Sequence, residues 1–542
     1  MRLGIIAGDP FQGLETEPAH PFKAVRQQKP RVYYDLHGQI YELPGSNHKK
    51  NYLCPRLPPG RHGSVQKKKF IFDLAILLVL NLLIKPFWTI IVEPKVQGRI
   101  GDISYGEYFV IFNFSLVLSI FLDFGLTYFN NKNIAQNTQL LSKHFSKMLG
   151  LKLALGFFYM LIILLLGYFV QGYNIKLLVI LGINSFFLSF IIFLRSNLQA
   201  LHLFRVDSVV SVLDRVIMII IVMSMLLGLF GMEVTIMNFV YAQTIGYALT
   251  TCVAFVIVLN KTHTFKLNWD WAFNRMILKK SMPYAVLVLL MAFYNRLDSV
   301  MIEKILPGDL GKEQSGIYAK GFRLLDAANQ IAYLFSVQLL PLFSRMVKQK
   351  ENIENVVKLA FTLLLTPALI VSVSTIFYAE DFFDKIYTGD TNGHLIFAVL
   401  MNCFTAISLS YIFGTLLTAS GNLKKQNWVA LGGIIVNVAL NVILIPRFMA
   451  LGSAIASLVT QLTTGLLQVY ICYKVFHFKI NKRLLLSLFL FVAGLFFINY
   501  FTMHLTTRWM LNFVIMLTFS GLLAFVTGMV NPRSVLRFIK YR

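Results

Sequence analysis

The chain has 542 residues, 56% of them hydrophobic and only 14% charged, with a formal net charge of +25. A soluble domain carries roughly 25% charged residues and has nowhere to hide 48 phenylalanines. With a mean hydropathy of +0.65, the composition excludes an ordinary water-soluble protein and points to a bilayer, where helix exteriors also face hydrocarbon. The positive charge sits in short polar gaps between apolar runs, where Lys and Arg meet anionic headgroups. That placement argues against nucleic acid as the partner.

Residues 1–66 are polar, and the stretch RVYYDLHGQIYEL predicts a small hairpin about His37–Gly38. No apolar run followed by a cleavage site is present, so this region reads as a flexible cytoplasmic tail rather than a signal peptide. After Lys67-Lys68-Lys69 the sequence predicts an all-α membrane protein of about fourteen transmembrane helices. Their expected spans are 70–92, 105–128, 149–170, 177–200, 209–230, 235–259, 282–303, 315–343, 356–378, 394–418, 427–446, 451–474, 484–502 and 510–530, each matched to a hydrocarbon core of roughly 30 Å. Placing both termini in the cytoplasm puts the basic gap NKTHTFKLNWDWAFNRMILKK inside, together with the tail bearing Arg533, Arg537, Lys540 and Arg542. The acidic gap EDFFDKIYTGDTNGH falls outside. Every gap is too short for a soluble catalytic domain. Cys54, Cys252, Cys403 and Cys472 show no metal-ligand spacing and read as small side chains in or near apolar segments. No metal and no cofactor are expected.

The basic gap divides the core into a six-helix bundle at 67–259, a linker at 260–281, a second six-helix bundle at 282–474, and two further helices with a basic tail at 475–542. GDISYGEY at 101–108 resembles GKEQSGIY at 311–318, so that Gly101, Gly106 and Tyr108 map onto Gly311, Gly316 and Tyr318 at one constant offset. Six helices per half is an even number. Equivalent helices therefore run the same way, and the halves form pseudo-symmetric parallel repeats about an axis along the membrane normal.

Two stretches carry a family resemblance. YNRLDSVMIEKILPGDLGKEQSGIYAKGFRLLDAANQIAYLFSVQLLPLFSRM resembles the seventh and eighth helices of polysaccharide flippases, and LLIKPFWTIIVEPKVQGRIGDISYGEYFVIFNFSLVLSIFLDFGLTYFNNKNIAQ resembles their first and second. These flippases belong to the multidrug/oligosaccharidyl-lipid/polysaccharide exporter superfamily. The resemblance implies two bundles around a central cavity that work by alternating access. It also implies a polyprenyl-diphosphate-linked oligosaccharide as substrate, moved from the cytoplasmic to the outer leaflet of the bacterial inner membrane, and no enzymatic activity. Residues 1–66 have no counterpart in it.

Ionisable residues inside spanning helices are costly and mark function. Lys85 lies in the first helix, Arg296 and Asp298 in the seventh, and Lys320, Arg323 and Asp326 along one face of the eighth. The repeat offset maps Lys85 onto Asn295, beside Arg296. A lipid pyrophosphate crossing the bilayer needs donors in place of water, and Arg and Lys supply them. Lys85, Asn295, Arg296, Lys320 and Arg323 are therefore the expected substrate-binding residues. Asp298 and Asp326 are the expected carboxylates for neutralising the cations between loads, or for coupling transport to protons or sodium. Structural roles compete at each: an Arg323–Asp326 pair within one helix, Lys320 snorkelling to the interface, and a salt bridge at Asp298. Arg195, Asp214 and Arg215 read as anchors at helix ends. Expected partners are the lipid-linked oligosaccharide, membrane lipids and other polysaccharide-assembly proteins. Competing readings are a cation or multidrug antiporter of the same superfamily, whose cavity would be acidic or aromatic, a membrane enzyme of polysaccharide assembly, and a scaffold indifferent to loss of Lys85 or Arg296.

Overall fold

Helices dominate because a chain crossing lipid must satisfy every backbone N–H and C=O internally. The structure, a computed structural model, describes residues 33–34, 40–41, 79–127, 130, 140–201, 203–262, 269–387, 393–478 and 481–530. The chain divides into two units, Met1–His62 and Gly63–Arg542. In the first, β1 (Tyr33–Tyr34) pairs antiparallel with β2 (Ile40–Tyr41), Tyr33 opposite Tyr41 and Tyr34 opposite Ile40. The pairing bears out a hairpin, its register is one step off that of a two-residue His37–Gly38 turn, and residues 35–39 lie outside the described residues. The rest of the expected tail, the Lys67–Lys69 run, the middle of the basic linker and the C-terminal basic tail lie outside the described residues.

The second unit is helical throughout its described length. α1 (79–100) contains a π-helical turn at Trp88–Val92. α2 (Asp102–Val117) follows after Gly101, whose φ of 85° a side chain would not tolerate. α3 (Leu140–Leu164), α4 (Ile175–Ala200), α5 (Phe204–Leu226) and α6 (Ile236–Leu259) complete the first half. α7 (Trp271–Ile305), α8 (Gly308–Gln349), α9 (Glu354–Tyr387) and α10 (His394–Ala419) open the second. The helical run Leu423–Phe476 is two helices, α11 (423–448) and α12 (450–476), broken at Met449 (φ 52°, ψ −134°) just after Pro446. α13 (Lys482–Met503) and α14 (Trp509–Val526) end the chain's described part.

Length and composition alone recognise ten helices able to cross a membrane among the described residues, counting Leu423–Phe476 once. α2 is too short to qualify, and α8 carries Lys320, Arg323 and Asp326 at its centre. Several helices run past their apolar cores. α8 and α9 extend by turns at each end, and residues 271–281 of the basic linker form the first turns of α7. α13 and α14 pack on α9 through Val373, Phe491 and Leu495 and turn the rest of their surface outward, with Val526 84% exposed, as lipid-facing helices do.

The two halves meet where α2 crosses α7 and α8. Gly106 of α2 lies against the Lys312 carbonyl of α8, and Gly316 of α8 lies against the Asp102 carbonyl of α2; a Cβ at either place would overlap that backbone. The repeated glycines are thus the two sides of one close crossing, the use that small residues serve between membrane helices. α4, α5 and α6 pack chiefly among themselves and on α2.

Gly106→Ala should lower the thermal unfolding midpoint in detergent, by overpacking worth about 1–3 kcal/mol, whereas Gly98→Ala, whose Cβ position is open, should leave it unchanged. At the start of α7, Asp270 accepts the Phe273 N–H at 3.0 Å and the Lys147 ammonium at 2.7 Å. The Lys147 hydrogen bond, with the helix cap, holds the Asp270 carboxyl below its ordinary range. A carboxylate depressed in the folded state adds stability above its unfolded pKa and loses it as pH falls through the folded value. Asp270→Asn keeps a capping oxygen, so the stability difference between the two proteins should be present at neutral pH and close as pH falls below about 4.

Candidate functional site

The α2–α8 crossing brings charges from both halves together. Arg296 of α7 donates to Asp326 of α8 with both terminal nitrogens, at 2.9 and 3.4 Å, and its Nη1 also lies 3.5 Å from Asn113 Oδ1 of α2. Its guanidinium stands 5.2 Å from the Phe322 ring centre. Asp326 is thus bridged between α7 and α8 rather than paired within α8 to Arg323. Arg323 reaches across to the first half. Its Nε is 3.0 Å from Glu93 Oε1 of α1, at an angle too bent for a hydrogen bond, and its Nη2 is 3.5 Å from the Tyr108 hydroxyl. The guanidinium also lies between Phe109 and Phe112, at 5.1 Å from each ring centre. Glu93 accepts a further bond from Tyr105 at 2.6 Å.

Lys320 sits deeper in the seam, 3% exposed, with its ammonium 2.7 Å from Asp102 Oδ2 at the head of α2. It therefore ties α8 to α2 instead of standing at a lipid interface. Gln97 donates to both Asp102 Oδ1 and the Gly316 carbonyl at 2.9 Å. Tyr173 bonds Glu303 at 3.2 Å and Lys304 bonds the Gln171 carbonyl at 2.9 Å. Apart from Gln97–Asp102, which lies within the first half, these contacts join the halves at the end where the 1–2, 3–4 and 7–8 connections lie.

Lys85 stands apart. Its ammonium has no hydrogen bond or ion pair among the described residues, but it lies within electrostatic reach of Arg195, Arg215, Asp207 and Asp214. Arg195 is held by Asp207 at 2.7 and 3.2 Å, and Gln199 adds a bond to the same carboxylate at 3.0 Å. Arg215 has only a loose contact with Asp214 at 3.7 Å, and stands over Trp88 and Tyr247 at 5.7 and 5.9 Å. Arg195, Asp214 and Arg215 therefore join Lys85 as a group, which helix-end positions alone did not suggest. The readable signal was the face of α5: Asp207, Ser208, Ser211 and Asp214 recur at helical spacing and all are buried.

Asp298 has a different environment. It is 1% exposed and has no cation partner among the described residues. Asn437 and Asn441 of α11 donate to Oδ1 at 3.0 and 2.9 Å; Tyr318 of α8, at 2.9 Å, and Ser457 of α12 donate to Oδ2. Ser453 orients Asn441 by donating to its Oδ1 at 2.7 Å. Neutral donors thus do for this carboxylate what water does at a surface. Asn295, one residue before Arg296, accepts from Gln461 of α12 at 2.9 Å. Among the described residues no group of His, Cys, Asp and Glu has the makings of a metal site.

A family model described as "Polysaccharide biosynthesis protein" matches residues 73–347. The chain belongs to that family. No curated protein matches it closely enough to count as a relative. Among solved structures it is similar to the lipid II flippase MurJ in an inward closed conformation, at TM-score 0.64 and 15% identity over 85% of this chain and 99% of that one. It is also similar to an inward-facing multidrug resistance MATE family transporter of the MOP superfamily, at TM-score 0.53 and 13% identity over 74% of this chain and 97% of that one. A third is a MOP superfamily transporter from Pyrococcus furiosus Vc1 (DSM3638), titled for the reverse polarity of its binding pocket, at TM-score 0.53, 13% identity, 74% and 95%. The fold is therefore that of the MOP superfamily, the multidrug/oligosaccharidyl-lipid/polysaccharide exporters that the sequence resembles.

The Arg296–Asp326 bridge is about a quarter exposed on each side, so its worth is that of a partly screened pair. A double-mutant cycle with Arg296→Gln and Asp326→Asn, read by unfolding in detergent, should return a coupling of about 1–2 kcal/mol. Coupling between Arg323→Gln and Asp326→Asn should be smaller.

Proposed function

We propose that this protein is a flippase for a polyprenyl-diphosphate-linked oligosaccharide, carried from the cytoplasmic to the outer leaflet of the bacterial inner membrane with both chain termini cytoplasmic. The observation that carries the reading is the surplus of cation among the charges buried on α1, α4, α5, α7 and α8. Arg195, Arg296 and Arg323 each have a carboxylate close by, Arg215 has a loose one, and Lys85 has none among the described residues. An anionic headgroup entering from the Lys85 side meets a free ammonium first and a weakly held guanidinium next. The paired arginines become available by exchanging a carboxylate for a phosphate oxygen. Tyr333 and Tyr411 meet edge to face with ring centres 6.4 Å apart, and Tyr333 is exposed, an aromatic surface suited to stacking sugar rings.

In this reading Lys85, Arg296 and Arg323 bind the headgroup, with Arg195 and Arg215 added to the set expected from sequence. Asn295 and Lys320 serve as positioning residues, through Gln461 and Asp102 respectively. Asp326 is the counter-charge of Arg296. Asp298, held by neutral donors only, is the coupling site, where a proton or a monovalent cation satisfies a buried carboxylate at little cost in rearrangement. The tyrosine wall beside Asp326 also suits flat organic cations, and this is the feature that favours the antiporter alternative.

The test uses a cell lacking its own polysaccharide flippase and a sugar-specific probe that cannot cross the membrane. Outer-leaflet label should depend on this gene. It should fall at least tenfold with Lys85→Ala or Arg296→Ala at unchanged protein abundance. Full label with both variants would reject the headgroup site. Absence of label with every sugar supplied, together with gene-dependent resistance to cationic drugs, would establish the antiporter instead.

A further inference from the structure

α12 is polar along one buried face. Ser453, Ser457, Thr460, Gln461, Thr464 and Gln468 recur every three or four residues, and each is buried. This stripe begins beside Asp298 and continues past it for about 16 Å of helix rise, from Ser457 to Gln468, toward the end of the bundle that bears Lys424, Lys425 and Lys474. Lipid-facing helices have no use for such a face inside a packed lobe, and packing alone would favour apolar side chains there.

The two ends of the stripe differ. Around Asp298 the polar atoms of the carboxylate, Asn437, Asn441, Ser453 and Ser457 are bonded to one another. Toward the basic end several are not. Thr464 bonds only carbonyls of its own helix, while Thr460 Oγ1, Gln468 Oε1, Gln426 Oε1 of α11 and the hydroxyl of Ser410 of α10 are buried without a hydrogen-bond partner among the described residues. Leaving such groups dry is costly, and water is their usual partner. Glycines let the three helices bring these side chains together: Gly433 lies against Thr464, Gly465 near Ser410, and Gly414 against the side-chain amides of Gln426 and Gln468.

We propose that this seam between α10, α11 and α12 is the water-bearing route by which a proton or small monovalent cation reaches Asp298 from the basic end of the second half, separate from the path of the substrate. The inference deepens the coupling role of Asp298 and rests on it for its purpose. The orphaned oxygens, two on α12 about two turns apart and one each on α11 and α10, are acceptors or hydroxyls, the groups that a chain of waters or a partly dehydrated cation requires. The saturated cluster at Asp298 is where the chain stops.

The experiment is accessibility of single cysteines to silver ion in the full-length protein in sealed vesicles of either orientation, after replacement of Cys54, Cys252, Cys403 and Cys472. Ser457→Cys, Thr460→Cys, Thr464→Cys and Gln468→Cys should react at least tenfold faster than Ala456→Cys and Leu458→Cys, which share the helix but not the stripe. They should do so only when silver is added on the side of Lys424 and Lys425. Thr460→Val, which keeps the shape and removes the orphaned hydroxyl, should slow reaction at Ser457→Cys at least tenfold. Stripe positions no faster than the controls, or reached only from the opposite side, would overturn the proposal; variants are compared only where the unfolding midpoint is unchanged. Slowing of Ser457→Cys by sodium at fixed pH identifies the traveller as a cation; slowing by lower pH beyond that of the Ala456→Cys control, whose thiol protonates in the same way, identifies a proton. None of these readouts requires transport, so a reactive seam combined with ion-driven transport by Asp298→Asn rejects the coupling role and leaves the route standing.

Discussion

The backbone contact between α2 and α8 is the constraint from which the rest follows. With glycine at 106 and 316, the two helices approach until carbonyls of one meet the Cα of the other. Side chains flanking that point cannot avoid the opposite half. Asp102 finds Lys320, Tyr108 finds Arg323, and Asn113 finds Ser299 and Arg296. Charges that would be prohibitive on an isolated helix in lipid become tolerable, because each finds its complement across the seam.

The same proximity sets the electrostatic character of the interior. Lys320 and Arg323 of the second half take their carboxylates, Asp102 and Glu93, from the first, and tie the halves together at one end. The cations left over lie on α1 and α5, toward the part of the molecule where the halves have fewer contacts. Closure at one end and unspent positive charge toward the other are two results of one packing arrangement.

Much of this was legible in the residues. The apolar runs gave the helices, the Gly101/Gly106/Tyr108 and Gly311/Gly316/Tyr318 repeat marked the crossing, and the turn residues announced the hairpin at Tyr33–Tyr41 but not its register. The membrane rule on buried charge singled out Lys85, Arg296, Asp298, Lys320, Arg323 and Asp326. Partnership was not legible. Asp326 faces Arg323 along its own helix by spacing, but helix spacing says nothing of α7, which supplies Arg296. Glu93 and Asp102 looked like loop residues because the apolar run ends at Val92, while the helix does not. Arg195 and Arg215 lie close enough to apolar ends to pass for anchors, and only the fold turns them toward Lys85. The neutral cage of Asp298 is built from Asn and Ser on helices well over a hundred residues away, which no local pattern announces.

The turn at Met449 bears on how the protein can work as a machine. α11 and α12 are joined with almost no slack, and Gly452 sits against the Leu444 carbonyl. Asn437, Asn441, Ser453 and Ser457 therefore travel as one piece. The carboxylate they surround belongs to α7, and its remaining donor, Tyr318, belongs to α8, the two helices that also form the crossing with the first half. A rocking of α7 and α8 against a fixed α11–α12 hairpin changes the ligand field of Asp298 and the closure of the seam in one stroke. The hairpin is the anvil of that movement: whatever changes the charge of Asp298 acts on two helices that are also part of the interface between the halves.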